Sequence, residues 1–362
     1  MRISAQHPGG NIRVKNIRGN TVTLEVDLRD TTQEWFYWNF CVEGAQSQTV
    51  TFDFSPKKWV GYHGAAVSTD NQHWNWTHTA NQSLTAFTYT FSPEEKKVYF
   101  CHDMYYPLQR FHAFAKENQL FTFPFARSRK GREVPATIVG QGKYWIVLTS
   151  RHHACESTGN YVMEGIIQAY LQNPLPNYRL LCIPFMDIDG VLEGDQGKSR
   201  APHDHNRDYW VDGGLYPETV LLRDFIQNKE IHYIFDLHSP WHIGVQNDTV
   251  FNVYPTIKDT PKAKVFSRYL KDSVDQTPDA LAYSIENDFE AETDWNQDPP
   301  EKRSLVHYAC YLPHIRYAQT LETTYFGTLE NVVTANKLTA FGQSFLSAIE
   351  KFIENFTISW QK

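Results

Sequence analysis

Between residues 20 and 29 the side chains alternate: Val22, Leu24, Val26 and Leu28 are apolar, while Thr21, Thr23, Glu25 and Asp27 are polar. A period of two belongs to a strand with one buried face. Similar runs recur at 34–42, 49–54, 84–91 and 97–102, separated by turn-rich pieces such as Glu43-Gly44-Ala45-Gln46-Ser47 and Ser68-Thr69-Asp70-Asn71-Gln72. Several short strands with no helical period predict an all-β sandwich or barrel. From about residue 116 the pattern changes. Apolar runs at 144–148, 179–185, 231–237 and 317–321 alternate with helical spacings, as at Val162, Ile166 and Tyr170. Pro217 opens a helix containing Val220, Leu221 and Phe225. Leu338, Phe341, Phe345, Ile349, Phe352 and Phe356 form the apolar stripe of a closing amphipathic helix. This alternation predicts an α/β domain with a mixed, mostly parallel sheet flanked by helices. The division expected is an N-terminal β-sandwich over 1–115 and a catalytic α/β domain over 116–362.

Composition narrows the class. The 362 residues are 41% hydrophobic and 21% charged, with 10 Trp, 20 Tyr and 23 Phe, enough apolar surface for a large core. A net charge of −7 lacks the basic footprint of a nucleic-acid binder. No apolar run approaches the roughly 18 residues of a membrane-spanning helix. Cysteines 41, 101, 155, 182 and 310 are odd in number and scattered, which argues for a reducing compartment rather than a disulfide framework. The first residues carry one positive charge with no apolar segment behind it, so a cytoplasmic protein without a signal peptide is expected.

In open α/β sheets, ligands bind beyond the carboxyl ends of the strands. After 144–148 comes Thr149-Ser150-Arg151-His152-His153-Ala154-Cys155-Glu156, after 231–235 comes Asp236-Leu237-His238-Ser239, and the last run ends in Thr320-Leu321-Glu322. Each alone has an ordinary reading: a chance His-x-x-Glu, a buried histidine, a salt-bridge partner. Together, two imidazoles and a carboxylate suit zinc with an open fourth position, and a further carboxylate suits a general base. Cys155, between two ligands, reads as a packed thiol. The segment Arg200-Ala201-Pro202-His203-Asp204-His205-Asn206-Arg207 offers, in Asn206 and Arg207, donors for a substrate carboxylate. Asp204 can accept from the distal nitrogen of a ligand imidazole; the plain alternative for 203–205 is a polar surface loop. Gly194-Asp195-Gln196-Gly197-Lys198-Ser199 imitates a phosphate-binding loop but has Leu192 where that motif needs glycine, so nucleotide binding is rejected.

This set resembles the zinc metallocarboxypeptidases of the M14 type, in particular the cytosolic carboxypeptidase branch. His-x-x-Glu, Asp-x-Asn-Arg, Asp-Leu-His-Ser and a later strand-end Glu occur in that family's order. The aromatic stretches Trp35-Phe36-Tyr37-Trp38-Asn39-Phe40 and Val98-Tyr99-Phe100 resemble the β-sandwich that precedes the branch's catalytic domain. The resemblance implies one zinc ion held by His153, Glu156 and His238, with Glu322 as general base, Asn206 and Arg207 on the substrate's terminal carboxylate, and Asp204 behind the first histidine. It also implies a carbonyl-polarising arginine about nine residues before Asn206. That position is Gly197, and Arg200 is favoured for the role over Lys198. A mobile tyrosine is expected among Tyr308, Tyr311 and Tyr317, and an acidic-end preference would fall to His307 with Arg303. The implied activity is hydrolysis of a peptide or amide bond next to a free carboxylate, on a peptide or peptide-like substrate, with no nucleic-acid or membrane partner. Two readings stay open beside it: a zinc amidase acting on cell-wall (murein) peptides, and a non-catalytic peptide-binding relative. For Trp74-Asn75-Trp76, aromatic packing against the catalytic domain is preferred to a carbohydrate surface.

Overall fold

The computed structural model describes residues 1–210, 214–297 and 303–359, with side chains through residue 355; Phe356, last in the apolar series, lies outside the described side chains. The N-terminal part is all β. It comprises β1 (Arg2–Ser4), β2 (Arg13–Arg18), β3 (Thr21–Glu25), β4 (Asn39–Glu43), β5 (Thr49–Asp53), β6 (Ala66–Ser68), β7 (Asn75–Trp76), β8 (Ala86–Thr90) and β9 (Lys97–Cys101). These form two sheets, ordered β1-β4-β9-β6-β7 and β2-β3-β5-β8. The alternation at 21–28 does what its period predicts: Val22, Leu24 and Val26 are buried, facing Trp38, Phe40, Phe52 and Phe100 in one aromatic-rich core. The stretch 34–38, expected within a strand, runs extended ahead of β4 and carries Trp35, Phe36 and Tyr37 toward the second domain.

The remainder is α/β: α1 (Leu108–Glu117), β10 (Thr122–Arg127), β11 (Glu133–Val139), β12 (Tyr144–Ser150), α2 (Thr158–Gln172), β13 (Tyr178–Ile183), α3 (Ile188–Glu193), α4 (Pro217–Asn228), β14 (Ile231–His238), β15 (Phe251–Val253), α5 (Thr260–Asp275), α6 (Leu305–Cys310), β16 (Tyr317–Glu322) and α7 (Ala335–Ser359). The sheet order is β10-β11-β13-β12-β14-β16-β15. The inner strands β13, β12, β14 and β16 run parallel, while β10, β11 and β15 join antiparallel. The sheet is therefore parallel only at its centre, because β10 and β11 form a hairpin and β15 turns back against β16. Every residue of β14 is buried, as helices cover both faces. Leu338, Phe341, Phe345, Ile349 and Phe352 are all buried along α7. One apolar cluster joins Phe36, Tyr37, Trp74, Trp76 and Tyr105 to the core of the α/β part. Trp76 Nε1 donates to Val333 O at 2.7 Å, so this tryptophan packs and bonds inward rather than forming a sugar platform. All five cysteines are unpaired, and among the described residues no helix is long and apolar enough to cross a membrane.

Candidate active site

Three parallel strands end side by side. Register places Thr149 beside Asp236 and His238 beside Glu322, so neighbouring strand ends deliver the last two groups about 5 Å apart at the backbone. Beyond β12 the chain wraps around Arg151, which is wholly buried in the left-handed region at φ 61°. Its guanidinium donates to Ala154 O at 2.7 Å, Ser157 Oγ at 3.1 Å and Tyr106 O at 3.3 Å, fixing the loop that leads into α2. His153 and Glu156 project from that loop toward β14. Cys155 points away, with its Sγ 3.8 Å from Tyr325 Oη and its thiol pushed up by burial to about 12.

His153 Nδ1 lies 2.9 Å from Glu156 Oε1, and His238 Nδ1 lies 2.7 Å from Glu156 Oε2. The three ligand atoms lie within 4.8 Å of one another. Both histidines turn the same ring nitrogen toward one carboxylate, a donor set of two imidazoles and one oxygen that fits zinc. Burial works against the charge on Glu156, yet His153, Lys198 and His238 hold its carboxyl well below the usual range. Asp204 Oδ1 stands 3.7 Å from His153 Nε2, behind the ring. Burial also opposes ionisation of Asp204, but His153 and Arg207 keep it ionised.

These groups open onto a cavity of about 330 Å³, whose walls include Asn206, Arg207 and Glu322. Asn206 Nδ2 is 3.3 Å from His238 Nε2, and its Oδ1 accepts from Leu305 N at 3.3 Å. Arg207 folds back on Asn206 O at 2.8 Å and lines the same cavity as the candidate ligands His153 and His238. Burial lifts the Glu322 carboxyl to about 7, aided by Glu156 and opposed by His238 and Lys198. Its Oε2 has no hydrogen-bond partner.

One expected residue does not join them. Arg200 Nε, Nη1 and Nη2 donate to Asp30, Asp187 and Asp195 at 3.1, 2.6 and 2.8 Å. The expectation for Arg200 is therefore corrected: each of its three nitrogens donates to a different carboxylate, and the side chain lies outside the cavity lining. Lys198, the alternative, lines the cavity with Nζ 2.6 Å from Glu156 Oε1 and 4.8 Å from the centre of the Trp35 ring. Tyr308 and Tyr317 are buried in packing and Tyr311 is exposed under Arg303, so none of the three lines the cavity. His307 does line it, whereas Arg303 does not. Gly194 ends α3 at φ 74° instead of leading into a helix, consistent with rejecting a phosphate loop. Trp35, Trp241, His152 and Tyr209 were not anticipated. Asp236 was findable, since residues two apart on a strand share a side and it precedes His238 by two.

Residues 3–102 match the family model of the cytosolic carboxypeptidase N-terminal domain. The N-terminal part thus resembles the domain that opens cytosolic carboxypeptidases, and the fold of the whole chain is that of solved metallo-carboxypeptidases. A metallo-carboxypeptidase structure from Burkholderia cenocepacia has the same architecture at a TM-score of 0.79 and 16% identity, covering 98% of this chain and 99% of its own. One from Pseudomonas aeruginosa, in complex with (2-guanidinoethylmercapto)succinic acid, scores 0.75 at 18% identity over 98% and 99%. Among sequences, an uncharacterised Zymomonas mobilis protein is 26% identical over 80% of both chains. Cytosolic carboxypeptidase 6 of Caenorhabditis elegans is 24% identical over 59% of this chain and 55% of its own.

Proposed function

We propose that this chain is a zinc metallocarboxypeptidase hydrolysing a peptide or amide bond next to a free C-terminal carboxylate. The supporting observation is that His153, His238, the Glu322 carboxyl and the Asn206–Arg207 pair line one cavity, with Glu156 bridging the two histidines behind its wall. Arg207 and Asn206 bind the substrate carboxylate and orient the chain, the guanidinium matching both oxygens. His153, Glu156 and His238 would hold zinc, which when bound would supply Lewis-acid polarisation of the carbonyl. Glu322, with an unpartnered oxygen and a proton affinity lifted to about 7, takes a proton from the attacking water and returns it to the leaving amine. Lys198 offers positive charge where negative charge develops on oxygen. Asp204, ionised and 3.7 Å behind His153 Nε2, favours the tautomer that keeps the proton on that nitrogen.

The test is Glu322→Gln. The variant should retain one zinc per chain by metal analysis and lose turnover of C-terminal peptides by about 10²-fold or more. Unchanged turnover in that variant would overturn the reading.

A further inference from the structure

Behind the proposed metal ligands a second buried group runs through the sheet. His152, next to His153 but pointing the opposite way, is wholly buried. Its Nδ1 lies 2.8 Å from Asp236 Oδ1 and its Nε2 lies 2.8 Å from Tyr209 Oη. Asp236 Oδ1 also accepts from Thr149 Oγ1 at 2.7 Å, and Asp236 Oδ2 lies 2.8 Å from His238 Nε2. His152, Asp236 and His238 could themselves suggest a second metal set. Their facing atoms are, however, already joined in hydrogen bonds, and both Asp236 and His152 are closed off from solvent.

With the His238 Nε2 proton given to Asp236, the 3.3 Å approach of Asn206 Nδ2 to that nitrogen is a contact rather than a hydrogen bond, and the remaining bonds admit one direction. If His238 gives Nδ1 to a metal, its Nε2 carries the proton and donates to Asp236 Oδ2. Ionised Asp236 accepts a second N–H, so His152 Nδ1 carries that one. His152 Nε2 is then a bare lone pair, and Tyr209 must donate to it. Tyr209 is wholly buried and stands two residues after Arg207, on the loop that also holds Asn206. Each of these proton positions fixes the next.

We infer that His152 and Tyr209 are positioning residues, a buried relay that locks the tautomer of His238 and couples the carboxylate-binding loop to the metal ligand. This rests on the zinc reading of His153, Glu156 and His238. Groups behind a metal-bound imidazole commonly govern metal affinity by tenfold to hundredfold; here the chain extends two side chains further than the carboxylate.

The experiment measures zinc dissociation constants of the purified full chain by chelator competition, with thermal midpoints of the zinc-free proteins alongside. His152→Phe removes both bonds and should weaken zinc by about tenfold to hundredfold. His152→Asn retains a donor to Asp236 and should fall between it and the parent. Tyr209→Phe alone should weaken zinc severalfold, and in the His152→Asn background should change nothing further, because its partner is gone. The visible absorption of the Co²⁺-substituted protein should shift in the same order. If His152→Phe fails to fold, the Asn and Tyr209 variants still decide the matter. Zinc constants within twofold of the parent, or an equal Tyr209→Phe effect in both backgrounds, would overturn the relay alone. A parent chain that binds no zinc would overturn the site reading beneath it.

Discussion

Lys198 and Arg200 stand two positions apart and are committed to different tasks. Gly197 at φ 76° and Ser199 at φ 52° turn the backbone so that Lys198 enters the cavity while Arg200 reaches Asp30, Asp187 and Asp195. Asp30 belongs to the N-terminal part, so Arg200 ties the two domains together. Arg200→Met should destabilise the fold by about 3 kcal/mol or more in denaturant titrations, since it leaves buried carboxylates without their cation, while the folded fraction keeps its kcat. Lys198→Met should do the reverse, lowering kcat by about 10²-fold with a smaller effect on the unfolding midpoint of the zinc-loaded chain. On sequence alone Arg200 is favoured over Lys198, and the structure reverses that choice. Asp30 is 170 residues from Arg200, and nothing local announces the pairing.

At the scale of elements, α2 begins two residues after Glu156 and packs along α7. The helices approach through two glycines. A Cβ on Gly165 would lie 1.9 Å from Thr339 O, and one on Gly342 would lie 2.1 Å from Val162 O. Gly165→Ala should therefore lower the thermal midpoint, by the equivalent of about 1–3 kcal/mol, although alanine is favoured over glycine by about 1 kcal/mol in an exposed helix. A higher midpoint would show that the helices separate without cost. The apolar stripe of α7 was legible because its period is intrinsic to the helix. The glycine contacts were not, because what excludes a methyl group is another helix's backbone. α5 escaped prediction though Ala263, Phe266, Leu270 and Val274 carry its buried face at helical spacing, a signal present in the sequence but interrupted by lysines and serines.

Across the whole molecule, the two domains meet through paired buried imidazoles. His242 Nε2 donates to Lys58 O at 2.5 Å, so its Nδ1 accepts from His102 Nε2 at 2.8 Å, a pattern that requires His242 neutral, while burial of His102 opposes a charge on that ring too. Phe36 packs against both rings and against Trp241. Burial lowers both proton affinities, bringing His242 from 6.5 to about 3. Protons therefore bind the unfolded chain more readily. The stability from this pair is complete above about pH 6.5 and drains away as pH falls toward the folded value. Urea midpoints should decline between pH 6.5 and about 5, and a His102→Phe, His242→Phe chain should decline less steeply over that window. Equal slopes would remove the pair as the cause.

The sequence by itself determined the class of the two halves, since strand and helix periods are local properties. It also pointed to the residue types of the proposed ligand set and to the strand ends that carry them, since chemistry in an α/β sheet gathers at those ends. Which cation faces the cavity, which tryptophans reach across from the other domain, and which buried groups stand behind His238 were decided by tertiary structure alone. Each depends on residues far apart in the chain competing for the same donors and the same space.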